Sequence, residues 1–189
     1  MNMRTFLATF LLIAGLAASA GCSTSPSEDK DLALLEAARS GSVGQVRALL
    51  NAGVSPNGAG DRLGSALPLV EAAERGHIDV LKALIEAGAD VNKENGLGLT
   101  PLTVAASLGR VDVVKLLLES KANPNTPAKN GWGPLQIAAR NGNVEIARLL
   151  LAKGAAKDFK LPDGSTALSW ARATGNSEME SVLQGSAAR

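Results

Sequence analysis

The sequence predicts an all-α solenoid, a row of stacked helix-turn-helix units, and three observations carry that prediction. First, a motif of two small residues, two variable residues and a glycine recurs as Ala37-Ala38-Arg39-Ser40-Gly41, Ala72-Ala73-Glu74-Arg75-Gly76, Ala105-Ala106-Ser107-Leu108-Gly109 and Ala138-Ala139-Arg140-Asn141-Gly142, with a looser fifth copy, Ala171-Arg172-Ala173-Thr174-Gly175. Second, successive glycines lie 35, 33, 33 and 33 residues apart. A fixed period in that range belongs to stacked supersecondary units, not to one core closed by long-range contacts. Third, apolar residues return at helical spacing after each glycine, as Val113, Val114, Leu116 and Leu117 do in the third copy.

The chain opens with a segment read as an address. Arg4 is the only charged residue among the first 21, and the apolar run FLATFLLIAGLAA after it ends in the small residues SAGC. A charged start, a short apolar stretch and a small-residue exit describe a secretory signal peptide over residues 1–21. The run is shorter than the ~20 apolar residues of a transmembrane helix. Ala20-Gly21-Cys22 resembles the lipobox of bacterial lipoproteins, with Ser19 where that family usually has leucine. On that reading Cys22 is lipidated, residues 22–30 form a polar tether, and Ser23 implies sorting to the outer membrane. Ala18-Ser19-Ala20 also fits an A-x-A cleavage site, which would leave a soluble periplasmic protein with a free thiol.

Residues 31–184 form the expected repeat array and 185–189 a C-terminal tail. The third copy, LGLTPLTVAASLGRVDVVKLLLESKANPN, resembles the ankyrin repeat: Gly98, Thr100, Pro101, Leu102, Ala105, Ala106, Gly109, Val113, Val114, Leu116, Leu117, Ala122 and Asn125 fall in register with that pattern. Thr100 suits the cap of a first helix, and Pro101 its first turn, where a missing N–H costs nothing. Gly109 stops that helix and Gly88 and Gly154 end second helices. The resemblance implies turns that project between repeats. It also marks departures: Leu67 and Gly133 replace the capping Thr, Ser120-Lys121 replaces x-Gly, and two extra residues enlarge the turn Asn57–Gly64. The first copy, DKDLALLEAARSG, resembles an N-terminal cap, and the fifth, STALSWARATGNSEMESVLQ, a C-terminal one.

Composition excludes several functions. Beyond the first 21 residues, 18 basic side chains balance 18 acidic ones, so the electrostatic footprint of nucleic-acid binding is missing. One cysteine and one histidine cannot assemble a Cys/His zinc site within the chain. His77 occupies the Gly-His that opens a second helix in the family pattern, so it reads as structural. Glu178 and Glu180 lie two apart on a short helix and point different ways. No Gly-Lys-Ser/Thr follows Gly58, Gly60 and Gly64, so these glycines read as a wide turn. No catalytic residue, cofactor or metal is expected.

What remains is a binding face. By resemblance, partners meet the turn tips and the concave edge of the first helices: Arg39, Arg62, Glu74, Arg75, Leu97, Leu99, Leu108, Lys129, Asn130, Trp132, Arg140 and Asn141. Trp132, between Gly131 and Gly133, reads as an exposed aromatic anchor beside Leu97 and Leu99, flanked by Lys129, Arg140 and Arg75. The other reading folds its ring back over the neighbouring turn. Trp170, inside the first helix of the last copy, reads as partly buried against the cap. The expected function is a non-enzymatic protein-protein interaction module, lipid-anchored on the periplasmic side of a bacterial envelope and monomeric when unbound. Its partner would be a periplasmic protein that it inhibits, in the manner of an immunity protein, or stabilises. A structural or self-associating envelope spacer is the alternative.

Overall fold

Two of the first helices start from a threonine cap, and the three internal ones carry proline in their first turn. Thr100 Oγ1 accepts the Thr103 amide at 3.1 Å, and Pro101 follows in the first turn. Pro68 and Pro134 hold the same place in their repeats. In the last repeat Thr166 and Ser169 form a reciprocal capping box, satisfying two otherwise orphaned donors. A computed structural model describes residues 26–58 and 66–185. Its first helices are α1 (Pro26–Ser40), α3 (Pro68–Arg75), α5 (Pro101–Ser107), α7 (Pro134–Arg140) and α9 (Ala167–Ala173). Its second helices are α2 (Val43–Asn51), α4 (Ile78–Glu86), α6 (Val111–Glu119), α8 (Val144–Ala152) and α10 (Ser177–Gln184). Among the described residues there is no strand, and the all-α repeat solenoid read from the period is the observed architecture.

Two layers result. The odd-numbered helices pack side by side in one and the even-numbered helices in the other, and each pair closes as a hairpin. Small residues let the first layer close up: Ala38, Ala72, Ala73, Ala105, Ala106, Ala138, Ala139 and Ala171 are fully buried. Between the layers run columns with the 33-residue period, among them Val80, Val113, Ile146 and Met179, and Leu84, Leu117, Leu150 and Leu183. Each repeat therefore completes its core only with its neighbours.

Backbone polar groups tie the repeats together. Asn57 Oδ1 accepts the Asp90 amide, Asn92 Oδ1 the Asn123 amide and Asn125 Oδ1 the Ala156 amide, at 2.7–2.9 Å. The residue opening each second helix leans on the preceding repeat. The His77 ring covers Gly41, Arg110 lies over Gly76, Asn143 over Gly109 and Asn176 over Gly142. His77 Nε2 also donates to the Arg39 carbonyl at 3.1 Å, which gives the single histidine its structural place. A β-carbon on Gly41 would sit 2.8 Å from that ring, so glycine is needed there for space as well as for its φ of 71°.

Three local departures have physical reasons. α1 begins at Pro26, so residues 26–30, read as part of a tether over 22–30, are helical; Pro26 at the start with Glu28 and Asp29 in the first turn favours that end. Lys121 has φ 68°, the left-handed turn made by Gly53, Gly88 and Gly154 at the same point of other repeats. At Gly133 a β-carbon would lie 2.6 Å from Oε1 of the buried Gln136, so a capping Thr there would require the end of that side chain to shift. Gln136 Nε2 donates in turn to the Phe159 carbonyl at 3.3 Å. Cys22, Arg62, the signal segment and residues 186–189 lie outside the described residues.

Candidate functional site

The projecting turns are built as rigid fingers. Asn95, Ala128 and Leu161 each donate their amide to the carbonyl four residues on, in Leu99, Trp132 and Ser165, at 2.8–3.0 Å. Gly98, Gly131 and Gly164 donate back to the same three residues at 2.8 Å. Side chains engage further amides of the fingers. Asn95 Oδ1 accepts from the Leu97 and Leu99 amides, and Asn130 Oδ1 from that of Trp132. Asp163 Oδ1 accepts from the hydroxyl and amide of Ser165, which hold the carboxyl below its ordinary range. Leu99, Trp132 and Ser165 are thus one position in three successive fingers.

Fingers and first helices enclose three contiguous depressions. Leu97, Leu99, Leu108 and Glu74 line the first, over a floor that includes Leu67, Val70 and Val104. Leu67 forgoes the capping role of its position and packs with Val70, Val104 and Leu99 instead. Leu97 is 70% exposed and Leu108 50% exposed, so apolar surface here faces solvent. The second depression shares Leu99 and Ser107 with the first and adds Asn130, Trp132, Ile137, Arg140 and Asn141. The third, lined by Arg39, Glu74, Arg75, Leu108 and Arg110 among others, continues toward the N-terminal repeat. Eleven of the twelve partner-binding candidates fall among the described residues, and ten of those line this strip.

Trp132 differs from the free-standing anchor. Its ring is half-buried against Trp170 of α9, with centroids 5.4 Å apart and planes tilted by 48°. The Arg140 guanidinium lies over both rings, 5.0 Å from the Trp132 centroid and 5.8 Å from that of Trp170. Trp170 is half-buried as its position predicts, and its Nε1 donates to Ser165 Oγ at 3.1 Å. The ring folds onto the next repeat because a finger of one unit leans over the first helix of the following one. Such a pair contributes ~0.5–1.5 kcal/mol beyond its buried area.

Other candidates are already engaged. Lys129 reaches across to the neighbouring finger, where Nζ donates to the Gly96 carbonyl at 2.6 Å; it braces two fingers and does not line the strip. Arg39 forms a two-point contact with Glu71, at 3.0 and 3.2 Å. Hydrogen bonding to Glu71, against some loss from burial, raises the Arg39 pKa further, so the guanidinium stays charged. Arg75 approaches the same Glu71 at 4.0 Å. Glu178 and Glu180 pair separately with Arg148 and Arg172, at 3.3 and 3.4 Å.

Val104, Ile137 and Trp170 also belong to this face and were not among the partner-binding residues expected from the sequence. The signal was available, since Val104 stands three and four residues before Ser107 and Leu108, the spacing of one helical face. Among the described residues no group of three His, Cys, Asp or Glu could hold a metal ion, and no helix is long and apolar enough to cross a membrane. A family model described as ankyrin repeats (3 copies) matches the chain over residues 4–95, 34–128, 69–161 and 102–187. No curated protein matches it significantly.

Proposed function

Because the chain belongs to the ankyrin-repeat family, we propose that it is a binding module for another protein and carries out no reaction itself. Ankyrin arrays are interaction scaffolds in general, and the observation that supports a partner here is the continuous strip from Arg75 through Leu108 and Leu99 to Trp132. Its fingers are closed by internal hydrogen bonds, so little conformational entropy remains to be lost on docking. The N-terminal sequence adds a location. Cys22 would carry lipid on the periplasmic side of the outer membrane, and the array would hold its face toward a periplasmic protein that it inhibits or stabilises. More than one acyl chain is needed for stable anchorage, which lipoprotein processing supplies.

Two experiments test the two parts. Cys22→Ala should leave the far-ultraviolet circular dichroism of the array unchanged while moving the protein from the salt-washed membrane fraction to the soluble one. Retention in the membrane rejects lipid as the anchor. Affinity capture from envelope extracts should recover a protein in stoichiometric amount with the wild type and lose it with Trp132→Ala. Equal recovery by both removes the strip from the interface.

A further inference from the structure

The arginines of the array divide unevenly. Arg39, Arg47, Arg75, Arg148 and Arg172 each face a carboxylate, and Arg110 donates to the Glu74 carbonyl at 3.4 Å. Arg140 alone among the described arginines has neither a carboxylate within 4 Å nor a hydrogen-bond acceptor, and its contacts are the two indole faces. Stacking fixes the plane of a guanidinium while leaving its edge donors open, and those donors match a carboxylate in a two-point geometry. Asn95, Asn130 and Asp163 already cap the amides of Leu97, Leu99, Trp132 and Ser165, so these four are closed to an anion.

From this we infer that Arg140, held by Trp132 and Trp170, receives an aspartate or glutamate side chain of an extended partner segment, in which an apolar side chain two residues away, on the same face of the segment, lies in the depression of Leu97, Leu99 and Leu108. The inference rests on the protein-binding reading and specifies what kind of segment the strip takes. Charge selects the ligand: Arg140 is the single charged residue lining its depression, so one negative charge is matched there and a phosphate dianion is not. Apolar selection comes next door, where Leu97 and Leu108 are the most exposed large apolar side chains of the face. The two depressions meet at Leu99 and Ser107, so residues two apart in one extended chain, which share a face, can occupy both.

The test uses the full chain and random peptides displayed on phage. Enriched peptides are then synthesised and titrated by intrinsic fluorescence, which here reports the site directly: the chain has two tryptophans, Trp132 and Trp170, and no tyrosine. The inference expects an acidic residue two positions from a Leu, Ile or Phe in the enriched set. Arg140→Ala should weaken binding about tenfold or more, and so should changing the peptide's acid to its amide. The two changes together should weaken it no further than either alone, and Arg140→Lys should recover part of the loss. Enriched peptides without an acid, or affinities indifferent to Arg140, overturn the inference and leave the protein-binding reading standing. No enrichment over a Trp132→Ala, Arg140→Ala double variant also overturns it, and then envelope capture decides the broader reading by itself.

Discussion

Two columns of this solenoid share one period and obey different rules. Leu84, Leu117, Leu150 and Leu183 keep one residue type through four repeats, all of them buried between the helix layers. Ala66, Leu99, Trp132 and Ser165 stand at one position of the finger bases and change type at every step. The leucine column must match its neighbours above and below, since interiors pack at crystal-like density and register a single methylene. The finger column is only partly buried and is freer to vary. A repeat protein thus separates what it repeats, its stability, from what it varies, its recognition.

Breaking the leucine column should give the largest effect. Leu117→Ala removes a fully buried side chain from the central repeat and should cost ~2–5 kcal/mol. Chemical denaturation will measure it, with affinity for a selected peptide unchanged under conditions where the array stays folded. A loss of affinity with intact stability would show that the two columns are not separable.

Trp132 sits between the columns and sharpens the comparison. Trp132→Ala should weaken partner binding by ≥ ~2 kcal/mol, as loss of an aromatic anchor does. Because the ring rests on Trp170, the same change should also lower stability, by ~1 kcal/mol or more, as the lost ring pairing implies. A double-mutant cycle with Trp170→Ala should return a stability coupling of ~0.5–1.5 kcal/mol. Additive stabilities would mean that the rings touch without reinforcing each other.

The sequence made the scaffold readable because core positions recur as apolar or small residues about 33 positions apart. The face was readable as a set of positions and unreadable as contacts. Trp132 meets Trp170, a residue 38 positions on, and no local rule says which way a turn-tip ring will lean. Leu67 looked like a missing cap and is an apolar floor residue, a local rule broken where the binding strip needs surface. Lys129 looked free, yet its acceptor is the Gly96 carbonyl of another finger, a partner visible only once the fingers stand side by side. The start of α1 at Pro26 had its proline and acidic signals in plain sight, inside a stretch whose serines suggested a tether.

The smallest effect should come from a scaffold position whose residue departs from the repeat. Lys121 closes α6 in a left-handed conformation, φ 68°, that Gly53, Gly88 and Gly154 adopt at φ 81–88° in their own repeats. A β-carbon makes that conformation unfavourable by ~1–2 kcal/mol relative to the right-handed region, while glycine enters it freely. Part of the advantage of glycine is lost to the greater freedom it gives the unfolded chain. Lys121→Gly should therefore stabilise the array by about 0.5–1 kcal/mol, read as an upward shift of the denaturant midpoint at constant m-value. Lys121 is exposed, forms no ion pair among the described residues, and lies off the finger strip, so peptide affinity should stay the same. A destabilised Lys121→Gly variant would mean that the lysine stem contributes packing that outweighs the strain of its backbone. A changed affinity would mean that the end of a second helix is coupled to the concave face, and the division between repeating scaffold and varying surface would have to be redrawn at α6.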